Sequence, residues 1–114
     1  MSVYDRIPSS FMAALTVLNG RQSRKIGFQT SLVRISEEVV ALKHHNTYIV
    51  KYDYTGMEVD PNGYRSSTTK RRINKAIRNC GVQIFQKNWE WKVYNRKNDT
   101  TIPFVDGMIF EKAV

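Results

Sequence analysis

The stretch from Leu32 to Val59 leaves this chain few architectures to choose from. It carries short runs rich in β-branched and aromatic residues: Leu32 to Ile35, Val39 to His44, Thr47 to Tyr54 and Met57 to Val59. Ser36-Glu37-Glu38 reads as one turn, Thr55-Gly56 as another, and Pro61-Asn62-Gly63 ends the series. Joints this short demand antiparallel neighbours, because a parallel pair needs a crossover of about a dozen residues. Within the third run Tyr48, Val50, Tyr52 and Tyr54 share one side of a strand, and Thr47, Lys51 and Asp53 share the other. Ile49 alone breaks the alternation.

Helical periodicity flanks this meander. Phe11, Ala14, Leu15 and Leu18 repeat at helical spacing within residues 9 to 20, where Ser9 or Ser10 can cap and Asn19-Gly20 can stop the helix. Arg21 to Lys25 then reads as a basic loop. A second helix carries the apolar stripe Ile73, Ala76, Ile77 and Cys80, with Thr68 or Thr69 as cap and Gly81 as terminator. At about 100° per residue, Arg71, Lys75 and Arg78 fall opposite that stripe, with Arg72 and Asn74 on its flanks. Val82 to Phe85 and Trp89 to Tyr94 then read as a hairpin around Gln86-Lys87-Asn88, with Trp89, Trp91 and Val93 on one face. Thr101 to Phe104 and Met108 to Phe110, around a turn near Asp106-Gly107, add one or two short strands. The expected fold class is α+β: a small antiparallel sheet, meander plus hairpin, packed with two short helices. One domain is expected over residues 1–114, with a helix and basic loop (1–23) ahead of a core (24–110).

Composition narrows the chemistry. The 114 residues are 41% hydrophobic, enough to fill one core without a staple. Cys80 is the only cysteine, so no intramolecular disulfide can form. His44 and His45 would point to opposite faces of a strand, and no ligand spacing suggests zinc, so neither metal nor cofactor is expected. The apolar stretch from Ile7 to Leu18 is interrupted by Pro8, Ser9, Ser10 and Thr16, unlike a secretory segment or a membrane span. A cytoplasmic location is expected, unless the protein is carried in a particle.

The net charge is +8, and it is unevenly distributed. Between Pro61 and Lys97, Arg65, Lys70, Arg71, Arg72, Lys75, Arg78, Lys87, Lys92, Arg96 and Lys97 face the single acid Glu90. Residues 37 to 60 are the reverse, with Glu37, Glu38, Asp53, Glu58 and Asp60 against Lys43 and Lys51. Such asymmetry suits a nucleic acid or an acidic protein surface, although a basic face can also serve solubility alone.

A set of residues in these elements resembles a family of small proteins from tailed bacteriophages. They are Arg24-Lys25, Thr30-Ser31-Leu32, His45-Asn46-Thr47, and the Gly-aromatic-Arg-x-x-Thr-Thr-Lys-x-x-Ile-Asn motif running from Gly63-Tyr64-Arg65 through Thr68-Thr69-Lys70 to Ile73-Asn74. Gln86 to Trp91 and Pro103 to Met108 extend the likeness, which covers roughly residues 24 to 110. The N-terminal helix stands as an addition to that pattern, and Phe28-Gln29 replaces a more polar pair. The resemblance implies a phage origin and a domain type, in the cytoplasm of an infected bacterium or in the virion. It carries over no catalytic residue.

The block from Gly63 to Arg78 is the best candidate site. A helix N-terminus leaves backbone N–H groups free and carries partial positive charge. Thr68, Thr69, Arg65, Lys70, Arg71 and Arg72 surround that end, and Lys75 and Arg78 extend the charge along the helix, a set suited to phosphates. Equally, the threonines could be a cap and the cations a solvated face. No Gly-x-x-x-x-Gly-Lys loop suggests nucleotide hydrolysis, and no enzyme activity is expected. Tyr48, Tyr52 and Tyr54, or Trp89 and Trp91, could stack on bases if exposed beside this charge; of the two sets, the tryptophans are the ones expected in the core. Cys80 is expected to be a buried small hydrophobe. The function expected is non-specific binding of DNA or RNA through the basic helix and its preceding loop. The alternative is a phage protein that binds a host or phage protein, as an inhibitor of a defence or transcription machine or as a minor particle component.

Overall fold

A computed structural model describes residues 3–111. In chain order these form α1 (Val3–Arg6), α2 (Phe11–Leu18), β1 (Ser23–Gly27), β2 (Thr30–Ser36), β3 (Val39–His44), β4 (Thr47–Tyr52) and β5 (Gly56–Val59). There follow α3 (Ser67–Ala76), β6 (Val82–Lys87), β7 (Glu90–Asn95), β8 (Thr100–Pro103) and β9 (Met108–Glu111). The class is α+β, mostly sheet, with small helices. Two sheets stand where one was expected: a six-stranded sheet ordered β1-β2-β3-β4-β5-β9 and a three-stranded sheet ordered β6-β7-β8, and every pairing is antiparallel.

The meander forms as its short joints require. Arg21 to Lys25 is not simply a loop, however, because Ser23 onward pairs with β2 and becomes an edge strand. Its charged side chains face water, and only Ile26 of β1 is buried. Charge on an edge strand is compatible with pairing, so a basic run conceals the strand from composition.

Ile49 breaks the alternation because it is the extra residue of a β-bulge. Leu42 pairs with Val50 and Lys43 with Tyr48, so the register shifts by one across Ile49. Beyond a bulge, the inward and outward faces exchange. Ile49, Val50 and Tyr52 are therefore buried, while Tyr48 is exposed on the outer face. The continuous tyrosine face expected from the sequence is thus divided.

A single apolar cluster joins both sheets and the helices. It includes Ile7, Phe11, Ala14 and Leu18 from the N-terminal segment, Leu32, Leu42, Val50 and Tyr52 from the larger sheet, and Ile73, Ala76 and Ile77 from α3. Ile84, Trp91 and Val93 contribute the face of the smaller sheet. The Tyr52 hydroxyl, fully buried, donates to the Pro8 carbonyl at 2.8 Å and fixes the N-terminal segment over β4.

The stripe Ile73, Ala76, Ile77 and Cys80 is buried as its spacing requires. The cap differs from expectation. Ser66 occupies the N-cap, its Oγ accepting from the Thr69 N–H at 3.1 Å, while its hydroxyl also meets the Thr69 hydroxyl at 2.9 Å. Thr68 and Thr69 lie inside the first turn. Gly81, at φ +76, turns the chain back into β6, a conformation costly for any side chain with a Cβ. The Asn74 side chain then ties helix to sheet: its amide donates to the Ile84 carbonyl at 2.8 Å and its oxygen accepts the Ile84 N–H at 2.7 Å.

Candidate functional site

The N-terminus of α3 opens onto a cleft of about 910 Å³ at one end of the larger sheet. Two tight turns form its far wall: Phe28-Gln29 joins β1 to β2, and His45-Asn46 joins β3 to β4. The His45 N–H donates to the Gln29 carbonyl at 2.9 Å, so the turns lie side by side. Pro61, Gly63, Tyr64 and Arg65, in the segment leading into α3, form the near wall. No residue lining the cleft is acidic.

Arg72 lies within this cleft. Helical spacing places it on the flank of the apolar stripe among the cations expected to meet phosphate, and its side chain is buried. It reaches across to β2, where Nε donates to the Thr30 hydroxyl at 3.0 Å, and Nη1 approaches the Tyr4 hydroxyl at 3.5 Å. The Tyr4 ring sits beneath two guanidinium groups, 4.6 Å from that of Arg71 and 5.5 Å from that of Arg72. Thr30 is itself buried and donates its own hydroxyl to the Phe28 carbonyl at 2.8 Å. His44 Nδ1 lies 3.5 Å from the same hydroxyl. Burial lowers the His44 pKa, the neighbouring Arg72 and His45 charges push the same way, and the Gln29 carbonyl opposes them. The imidazole is therefore held neutral beside a permanent cation, and the positive charge of the cleft floor comes from Arg72. His44 and His45 also do not diverge as a regular strand would send them. His45 has φ +53, and its ring lies 4.4 Å from that of His44.

The other cations expected at the site are dispersed. Arg65 pairs with Asp106 at 3.0 Å and lies over Phe104 and Trp91 at 5.2 and 5.8 Å. Arg78 is committed to main-chain carbonyls, donating to Ile7 at 2.9 Å and to Lys75. It holds the N-terminal segment to the end of α3, so it is a structural arginine at the end of α3 remote from the cleft. Arg71 is exposed, Lys70 and Lys75 are half-buried, and Thr68 is exposed at the cleft rim while Thr69 is buried. The one continuous cationic face expected from Arg65 to Arg78 is therefore replaced by a cleft lined by Arg65 and the buried Arg72, while Lys70 and Arg71 stand next to them on α3 outside the lining.

The three tyrosines form no platform. Tyr52 is in the core because the bulge turned it inward. Tyr48 is on the outer face of β4, opposite Lys43, and Tyr54 lies beyond the other end of β4 with its ring 4.6 Å from Phe11. The exposed aromatics at the cleft are Phe28 and Tyr64 instead, at 74% and 71% exposure. Trp91 is buried as expected. Trp89 is not: it occupies the two-residue turn of the β6–β7 hairpin and is 92% exposed. Sequence reasoning had passed over Thr30, His45 and Tyr64 as site residues. All three stand in the motif segments quoted above, and folding brings those segments to one cleft.

Burial raises the Cys80 pKa, with the Lys97 charge opposing, so this thiol is a packing group. Among the described residues no group of three or more His, Cys, Asp or Glu side chains could hold a metal ion, and no helix is long and apolar enough to cross a membrane.

Residues 9–111 match the family model of the Kyanoviridae Gp96 protein, so the match includes α2 and runs into β9. No curated protein and no solved structure matches the chain.

Proposed function

The chain belongs to the Kyanoviridae Gp96 family of cyanophage proteins, and from that premise we propose that it binds nucleic acid by seating the sugar–phosphate backbone in the cleft at the N-terminus of α3. One observation carries this reading. A buried arginine from the middle of α3, donating to the Thr30 hydroxyl and 3.5 Å from that of Tyr4, shares a concave site with the first turn of the helix, and no lining residue is acidic. Burying a cation costs several kcal/mol unless its charge is compensated, and a phosphate would supply that compensation. The first-turn N–H groups of α3 add donors of the kind that bind phosphates elsewhere. Lys70 and Arg71, between the lining residues Thr69 and Arg72 along α3, would extend the contact to neighbouring phosphates.

A protein partner is the second reading, favoured by Ile102, Val105 and Ile109. These are 50–66% exposed on or between β8 and β9, the outer strands of the two sheets.

The test is a fluorescence-anisotropy titration with random single-stranded and duplex oligonucleotides at about 50 and 200 mM salt. Binding should weaken steeply at the higher salt as counterions are released. The double variant Lys70→Glu, Arg71→Glu should bind at least about tenfold more weakly, since each reversal replaces an attraction with a repulsion. Absence of binding at the lower salt would overturn the nucleic-acid reading and leave the protein-partner reading.

A further inference from the structure

Resting on the nucleic-acid reading, we propose that Trp89 at the tip of the β6–β7 hairpin stacks on an unpaired base and makes the protein selective for single strands.

The tip is a two-residue turn, with Lys87 paired to Glu90 and Asn88-Trp89 between them. Both turn residues have positive φ, +54 at Asn88 and +67 at Trp89. Such turns favour glycine at the second position because the left-handed region strains residues with a Cβ. Here the largest side chain of all stands in that position, and at 92% exposure it recovers almost nothing by burial. Neither the turn nor the core explains a tryptophan there. Strained residues without internal compensation are a feature of sites that meet partners.

The tip and the cleft share one end of the molecule. Asn74 of α3 is hydrogen-bonded to Ile84 of β6, and the chain reverses at Gly81 between them. Ser67 lies about 10 Å before Asn74 along the helix, and Trp89 about 17 Å beyond Ile84 along the hairpin. The tip therefore extends past the start of α3. Arg65, which lines the cleft, lies 5.8 Å over the ring of Trp91, two residues from the tip. A strand whose phosphates occupy the cleft would carry its bases past Tyr64 toward Trp89, whereas the bases of a duplex are already stacked.

Charge complements the same partner. Lys87 flanks the tip, and its one acid, Glu90, lies 3.8 Å from Lys92. An indole beside cations is the usual combination for single-strand contacts, an aromatic face for the base and a positive groove for its backbone.

The experiment compares wild type, Trp89→Gly and Lys70→Glu, Arg71→Glu for binding to a labelled oligothymidylate strand and to a mixed-sequence duplex. Thermal unfolding of each variant is measured alongside. Glycine suits positive φ, so Trp89→Gly should unfold at the same or a higher temperature than wild type, and any lost binding is then not lost folding. The expected result is about tenfold weaker single-strand binding for Trp89→Gly with duplex binding unchanged, within the range of one base-stacking contact. The Lys70→Glu, Arg71→Glu variant, beside the cleft on α3, should weaken binding to both. Wild-type binding that Trp89→Gly leaves intact would overturn this proposal and spare the cleft reading. Wild type that binds neither probe would overturn both, and equal losses on strand and duplex would overturn the single-strand selectivity.

Discussion

At residue scale, Thr30 lies buried behind the cleft and supports the arginine that lines it. Its hydroxyl donates to one carbonyl and accepts from Arg72, so it holds a buried guanidinium in place without a carboxylate of its own. The same arrangement makes His44 acid-sensitive. Its pKa lies below the ordinary value of about 6.5, chiefly through burial, so the unfolded chain takes up the proton first as pH falls. His44 therefore contributes nothing to the pH dependence well above 6.5. The fold loses stability as pH falls through 6.5, and the loss levels off once pH reaches the depressed native value. Melting temperatures measured between pH 7.5 and 5 should fall less steeply for His44→Gln than for wild type, while parallel curves would remove His44 from the acid response. None of this was legible from composition. A threonine and a histidine in β-rich runs look like ordinary strand residues, and Arg72 looks like one cation in a row of three until tertiary contacts select it.

The elements were more legible, and their errors have local causes. Apolar stripes fixed the faces of α2 and α3, because helical spacing survives whatever the helix packs against. Short joints fixed the antiparallel meander. The outward turn of Tyr48 and the burial of Tyr52 depended on one bulge residue, and Ile49 gave the only hint of it. The cap of α3 was misplaced by two or three residues because serine and threonine crowd that segment from Ser66 to Thr69. Hydrogen bonding decides among them: the Ser66 Oγ accepts from the Thr69 N–H, whereas Thr68 is exposed in the first turn. Ser66→Ala should therefore cost about 1 kcal/mol of stability, and Thr68→Ala no more than a few tenths. Chemical denaturation of both variants measures this directly, and a reversed order would return the cap to the threonines.

Over the whole molecule, the least legible feature is the return of the C-terminal strand. β9 leaves the smaller sheet's strand β8 and pairs with β5, about fifty residues earlier, matching Phe110 to Met57 and Met108 to Val59. Neither strand has a turn signal naming the other, and a sequence-local reading can only attach a late strand to the hairpin before it. The pairing also explains Asp106, which the returning segment brings to Arg65 and to the Gly63 N–H at 3.0 Å. The larger sheet thus braces one wall of the cleft from its last strand, so the stability of β9 and the shape of the site are linked. If β9 is a full member of that sheet, its two faces must respond oppositely. Phe110 is 8% exposed and faces the core, so Phe110→Ala should cost about 3–5 kcal/mol, a large share of the roughly 5–15 kcal/mol that holds a domain together. Ile109, its neighbour at 66% exposure, should lose less than about 0.5 kcal/mol on the same truncation. Thermal unfolding should separate the pair by more than about 10 °C. Equal effects would mean that β9 frays from the sheet in solution, and the Asp106 brace on Arg65 and Gly63 would then fray with it.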